Sequence, residues 1–364
     1  RTGAQRQTCP ATEFATASGS WFLDPGSRTQ VESPSPLCHV EILGQGEQIV
    51  SESELEMPRQ EIDQIDRELV RLLNRRAQVV LDIARRKAEA GERVFVPDRE
   101  QRVLDNVLAA NSGPLKGEHL RSIYREILSS SRSLQRRLKV AYLGPAATFT
   151  HQAALQIFGD ATDLLPVPSI RDVFLETERG GADYGVVPVE NSTEGSVPFT
   201  IDCFIESDLK ACSELSLPIV HNLMARCKKE EITTVYSHPQ GLAQCRHWLA
   251  ANLPKAELVQ SLSTVRAAEQ AAADPTGAAI SPALAADAYG LQILEAGIQD
   301  LSTNITRFLV IGRTLPAQTG RDKTALIVSI KDRVGALHDM IEVFAREGIN
   351  LSNIQSRPSR SKVW

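Results

Sequence analysis

Residues 58–90 read PRQEIDQIDRELVRLLNRRAQVVLDIARRKAEA, and their period decides the architecture of this part of the chain. Alternating steps of three and four from Arg59 pick out Ile62, Asp66, Leu69, Leu73, Arg76, Val80, Ile83 and Lys87. They form one stripe of an amphipathic helix, thickened by Ile65 and Leu72. Cations at Arg59, Arg76 and Lys87 interrupt it. Burying an unpaired Arg or Lys costs several kcal/mol, which excludes it from a plain core. Arg59 and Lys87, near the ends, could snorkel to water. With Arg76 between them and Arg99-Glu100 just beyond, the stripe points instead to a small anion held between helices.

The remaining composition narrows the partners. The chain has 364 residues, enough for two or three domains. With 42% hydrophobic and 23% charged residues, it has the balance of a globular protein. A net charge of −5 gives no general attraction to nucleic acid or to an anionic membrane. No apolar run approaches the roughly 18 residues of a membrane span. The six cysteines are scattered without a C-x-x-C pair, which fits reduced thiols in a cytosol. The seven histidines form no H-E-x-x-H, so neither a metal nor another cofactor is expected.

The pattern divides the chain. Residues 1–56 are rich in Ser, Pro, Gly and Gln and lack periodicity, so they are expected to be a disordered or non-native extension, with the native start near Met57. Residues 57–137 read as all-helical: one helix to about Ala90, a second from Asp98, and a third over about Leu115–Arg137. Three unequal helices leave apolar surface uncovered, which predicts a dimer. At Leu138 the period changes to that of a strand. Strand and helix signals then alternate through residue 315, with strands over Ala182–Val189, Leu217–Ala225, Thr233–Tyr236, Ala278–Ile280 and Arg307–Ile311. That alternation predicts an α/β domain. After a linker at Pro316–Arg321, residues 322–364 read as strand (Lys323–Ile330), helix (through Ala345) and strand (Ile349–Ile354), an incomplete α+β unit.

The order Arg59, Arg76, Lys87, Arg99-Glu100, Ser131 and Gln135 resembles the all-helical chorismate mutase family, an intertwined dimer of three-helix chains. Chorismate rearranges to prephenate in a concerted pericyclic step, so the enzyme has only to hold a reactive conformer and stabilise charge growing on the ether oxygen. The resemblance implies that Arg76 grips one carboxylate and that Arg59 reaches in from a second subunit. Lys87 and Gln135 would donate to the ether oxygen, Arg99 and Ser131 would hold the other carboxylate, and Glu100 the hydroxyl. Arg76 and Lys87 are about three turns apart on one face, leaving room for a small acid. Where some family members carry Asp, this chain has Val96.

Three further segments resemble prephenate dehydratase: Val187-Pro-Val-Glu-Asn-Ser-Thr-Glu-Gly-Ser-Val197, Thr303-Asn-Ile-Thr-Arg-Phe308 and Gly144-Pro-Ala-Ala-Thr-Phe-Thr150. Such domains are similar to the two-lobed periplasmic-binding-protein fold, with the site between lobes. Prephenate loses carbon dioxide and hydroxide, so the leaving hydroxyl needs a donor. By this resemblance Thr306 is that donor, Arg307 the substrate anchor and Phe308 the apolar wall. Thr148, Thr150, Glu190, Asn191, Ser192 and Thr193 would bind substrate at strand-to-helix turns. Read alone, Asn-Ser-Thr is a helix cap and His238 before Pro239 a turn residue. Ala147 stands where the family usually has Gly.

The last segment resembles an ACT regulatory domain, which in dehydratases binds phenylalanine as inhibitor. Gly335-Ala336-Leu337-His338 and Gln355-Ser356-Arg357-Pro358 match its two ligand motifs. Gln355 replaces the usual Glu, so weakened phenylalanine feedback is expected. The resemblances together imply a bifunctional chorismate mutase–prephenate dehydratase of phenylalanine biosynthesis. Two alternatives stay open here: a dehydratase whose helical domain only dimerises, and a small-acid-binding protein that closes without chemistry.

Overall fold

The computed structural model describes residues 52–90, 94–320, 322–330 and 333–357. The chain divides into two units, with the boundary after Asp63. The described part of the first is the opening of helix α1 (Glu52–Ala90), where Arg59 and Ile62 are exposed. α1 therefore begins upstream of Met57, with Pro58 inside it rather than at its start. The expected extension lies mostly in residues 1–51, outside the described residues.

In the second unit, the rest of α1 is followed by α2 (Pro97–Ala110) and α3 (Gly117–Gln135). Pro97 sits in the first turn of α2, where its missing N–H costs nothing. Val96 caps that helix without a side-chain hydrogen bond. α1 turns Arg76, Ala77, Val80, Leu81, Ala84 and Lys87 partly inward. Its other apolar residues, Ile65, Leu69, Leu72, Leu73, Val79 and Ile83, stay roughly half exposed.

Two α/β lobes follow. The first contains β1 (Lys139–Leu143), α4 (Phe149–Phe158), β2 (Asp163–Val167), α5 (Ile170–Arg179), β3 (Tyr184–Asn191), β4 (Gly195–Ser196), α6 (Pro198–Glu206) and β5 (Lys210–Pro218). The chain then builds the second lobe from β6 (Asn222–Ala225), β7 (Thr234–Ser237), α7 (Pro239–Gln244), α8 (Arg246–Asn252), β8 (Glu257–Gln260), α9 (Thr264–Ala273), β9 (Gly277–Ser281), α10 (Leu284–Tyr289) and β10 (Gln292–Glu295). It returns to the first lobe through β11 (Ile305–Gly312). The first sheet has the order β2-β1-β3-β11-β5, and the second β10-β6-β9-β7-β8. β11 lies antiparallel between β3 and β5, so the last strand is central.

The segment expected as one strand, Leu217–Ala225, is two. Pro218 ends β5, and Ile219–His221 carries the chain from one sheet to the other before β6. An apolar run that crosses between two cores looks like one strand because both of its halves are buried. Each lobe has its own core, around Tyr142, Phe158 and Phe308 in the first and Leu223, Val235 and Ile280 in the second.

After the second lobe, Ala336–Arg346 forms α11 as expected. The strands expected at Lys323–Ile330 and Ile349–Ile354 are irregular instead. Among the described residues neither has a strand to pair with, and an unpaired extended segment gains no ladder hydrogen bonds. Leu326, Ile327 and Val328 remain exposed.

Candidate active sites

A cavity of about 350 Å³ is lined from both lobes. The first supplies Thr148, Thr150, Asn191, Thr306 and Phe308, and the second His221, His238, Gln244, Ser263 and Thr264. None of the described residues lining it is Arg, Lys, Asp or Glu. Its polarity comes from hydroxyls, amides, imidazoles and helix ends. α4 and α9 both begin at its wall. Thr148 Oγ1 caps α4 by accepting from His151 N (3.3 Å), and Ser263 Oγ caps α9 by accepting from Arg266 N (3.1 Å). Such N-termini favour anions through unpaired N–H groups and the helix dipole.

A continuous hydrogen-bonded chain crosses the cavity floor. His221 Nε2 lies 2.8 Å from Gln244 Oε1, which also accepts from Asn304 Nδ2 (3.0 Å). An amide oxygen only accepts, so the imidazole carries its proton on Nε2. Asn304 Oδ1 accepts from Asn191 Nδ2 (2.8 Å), and the same amide donates to Thr306 Oγ1 (2.8 Å). Asn191 Oδ1 in turn accepts from Thr193 Oγ1 (2.6 Å), Thr193 N (3.0 Å) and Glu194 N (3.1 Å). Thus Asn191 uses both donors and its acceptor. Thr306 Oγ1 accepts a hydrogen bond from this chain and keeps its own proton to donate. Burial pushes the His221 imidazole below its usual pKa, so it is neutral at pH 7.

The two strands β3 and β11 explain which residues meet. Alternate residues of a strand face opposite ways. Thr306 and Phe308 therefore line the cavity, while Arg307 lies on the other side. There Arg307 is paired with Glu190 (2.5 Å) and Glu214 (2.9 Å). Arg307 and Glu190, both expected at the substrate, are thus tied to each other and do not line this cavity. Ser192 also stands back from the cavity, where its Oγ donates to Thr303 O and accepts from Ile305 N, tying the β3 turn to the start of β11. His238 caps α7 through Nδ1, as a turn residue does, and also lines the cavity. His221, Gln244, Ser263 and Thr264 carried no sequence signal: His221 comes from a crossing between lobes, Gln244 from the end of α7, and Ser263 and Thr264 from the turn into α9, while Asn304 lay in the Thr303–Phe308 motif without a role of its own.

A second constellation lies among the three helices. Arg76 donates to Ser131 Oγ, which donates to Ile127 O (2.6 Å). Glu100 is buried against Arg132, with Arg76 and Lys87 also close enough to act on its charge. Burial raises the Glu100 carboxyl pKa; these three cations pull it back. Gln135 follows one turn after Ser131. Arg99 points to solvent on α2, and Arg59 is exposed on the opening of α1. Arg132 had no place among the expected residues. On α11, His338, Asp339 and Glu342 come within 4.8 Å of one another, but all are exposed and Asp339 is already paired with Arg333.

Three family models match the chain: chorismate mutase type II over residues 58–136, prephenate dehydratase over 140–315 and the ACT domain over 324–364. The bifunctional chorismate mutase/prephenate dehydratase of Aquifex aeolicus is 47% identical over 316 residues, covering 85% of this chain and 87% of that protein. The chain belongs to the bifunctional chorismate mutase/prephenate dehydratase family. The Pseudomonas aeruginosa member is 42% identical over 323 residues, 87% of this chain and 88% of its own. Among solved structures, the prephenate dehydratase of Arthrobacter aurescens in complex with L-Phe superposes with a TM-score of 0.58 at 36% identity. It covers 61% of this chain and 77% of its own. The interlobe cavity thus falls in the dehydratase segment, and the cationic constellation in the mutase segment.

Proposed function

We infer that the chain converts chorismate to prephenate in its helical domain and prephenate to phenylpyruvate between its lobes. The dehydratase assignment is carried by the hydrogen-bonded chain that ends on Thr306. As the ring carboxylate leaves as carbon dioxide, its C–C bonding pair enters the ring and expels the hydroxyl. The Thr306 O–H donates to that hydroxyl, which departs as water or hydroxide. The remaining carboxylate is received at the N-termini of α4 and α9, by Thr148, Thr150, Ser263 and Thr264. A cavity without fixed cations leaves the departing carboxylate weakly held, which favours its loss. Phe308 forms the apolar wall. Arg307 acts at one remove: with Glu190 and Glu214 it fastens β11 to its neighbours and so holds Thr306 in place.

In the helical domain, Arg76 and Ser131 hold chorismate carboxylates, Arg99 swings in from the surface, Lys87 and Gln135 stabilise the ether oxygen, and Glu100 takes the hydroxyl. Arg59 is contributed by a second copy. The half-exposed apolar residues of α1 support a homodimer, which buries them. We place the domains at 57–137, 138–315 and 322–364. Phenylalanine is the proposed effector, supported by the ACT match and by the ligand of the Arthrobacter relative. Its contacts would be Gly335, Ala336, Leu337 and His338 at the start of α11, with Gln355, Ser356 and Arg357; Pro358 lies outside the described residues. Gln355 lacks the charge that would meet an amino group, so calorimetry should find weak binding, and tight binding would contradict this. A cytosolic setting fits the free thiols of Cys203, Cys212, Cys227 and Cys245. No described helix is long and apolar enough to cross a membrane.

Purified protein given chorismate should accumulate prephenate and then phenylpyruvate, followed by ultraviolet absorbance. Binding of either acid without turnover would overturn the assignment.

A further inference from the structure

Arg132 is 3% exposed, and no step described so far uses it. It follows Ser131 in α3, and its guanidinium touches three residues at once. Nη1 donates to both carboxylate oxygens of Glu100 in α2. Nη2 donates to the carbonyl of Phe158, the last residue of α4 in the first dehydratase lobe. The guanidinium carbon lies 5.5 Å from the ring centroid of Phe95, whose ring packs tilted at 47° against Phe158 with centroids 4.8 Å apart. A planar fork serves a carboxylate and a carbonyl from two nitrogens in fixed geometry, whereas a lysine ammonium donates from a single point. A buried cation with one hand in each domain is costly unless each hand is needed.

We propose that Arg132 is a positioning residue for the mutase reaction: it fixes Glu100 and, through the Phe158 carbonyl, braces it on the dehydratase lobe. The mutase site is thus completed by the domain that consumes its product. This rests on Glu100 contacting chorismate. The charged groups facing Glu100 are Arg132 from α3 and Arg76 and Lys87 from α1. α4 presents only the Phe158 carbonyl, to Arg132. Removing Arg132 frees the carboxylate to rotate and takes away the nearest counter-charge, so Glu100 protonates at higher pH.

The test uses the full chain with separate chorismate and prephenate assays of wild type, Arg132→Met, Arg132→Lys, Glu100→Gln and both Arg132 variants in the Glu100→Gln background. Arg132→Met should lower mutase kcat roughly ten- to a hundredfold, the scale of a small misplacement. The acid limb of its pH profile should move up by roughly 1–3 units, the effect of losing an adjacent opposite charge. Arg132→Lys should restore the limb but only part of kcat. In the Glu100→Gln background either Arg132 change should cost less than about twofold, because the coupled partner is gone. Prephenate turnover in the same samples reports that the chain is folded; if Arg132→Met fails this check, the Lys variants give the kcat comparison between the two backgrounds, and the acid limb is not used. Equal losses in both backgrounds, or an unmoved acid limb, would make Arg132 a structural strut and overturn the proposal alone. Undiminished mutase activity in Glu100→Gln would overturn the Glu100 assignment as well.

Discussion

Thr306 acts through one proton, and that proton is directed by Asn191. Thr306→Val keeps the shape of the side chain and removes the donor. Its prephenate kcat should fall by roughly 10²–10⁴, the usual contribution of a positioned acid, while Thr306→Ser retains most activity. Phenylpyruvate absorbance measures both. His221 makes a second prediction, through pH. Its imidazole has a lowered folded pKa because it is buried. The unfolded chain, with a His pKa of about 6.5, therefore binds a proton before the native state does. The stability this group supports is present above that value and is lost as pH falls through the folded pKa. Thermal melts from pH 8 to pH 5 should show the loss, and His221→Asn should flatten the slope. Asn191 and Thr306 stood out through motifs that resemble prephenate dehydratase, and the fold brings both to the cavity. His221 and Gln244 did not, since a histidine between two apolar runs and a glutamine in a short helix gain meaning only when two lobes meet. For Arg307, a motif shows that a cation is present but not which face of β11 it takes.

The turn before α4 shows how an element absorbs a local cost. Ala147 has φ 66°, the left-handed region where a Cβ costs roughly 1–2 kcal/mol. Its methyl is buried in the cluster that includes Met224 and Val265, and burying such a group returns about 0.8 kcal/mol. Gly would relieve the strain but lose that contact and bring its own entropy cost. Ala147→Gly should therefore change stability by less than about 1 kcal/mol in chemical denaturation. A larger gain would mean the methyl packs poorly. Helices were read well from their 3.6-residue period, and α1, α2, α3 and α11 all formed close to where it placed them. Short strands such as β8 and β10 left no alternation long enough to see. The irregular Lys323–Ile330 segment carries a strand pattern without a partner, and pattern alone forms no ladder.

At the scale of the whole molecule, the exposed stripe of α1 sets an expectation about assembly. Ile65, Leu69, Leu72, Val79 and Ile83 recur at steps of three and four with Arg76 among them, a seam suited to another helix. Leu69→Lys with Leu72→Lys should give a monomer by sedimentation, with chorismate turnover lost and prephenate turnover kept. Of the cationic stripe read from the sequence, Arg76 and Lys87 lie close enough to Glu100 to act on its charge, while Arg59 is exposed at the opening of α1. The bracing of Glu100 by Arg132 was hidden, because it depends on where the helical domain meets α4. Two separate active sites on one chain can each be silenced alone, and one paired measurement shows whether they are separate. Arg76→Ala and Thr306→Val are each assayed with chorismate and with prephenate. The account predicts crossed outcomes: Arg76→Ala loses chorismate turnover and keeps prephenate turnover, and Thr306→Val does the reverse, accumulating prephenate. A variant that loses both activities while remaining folded, or neither, would contradict it.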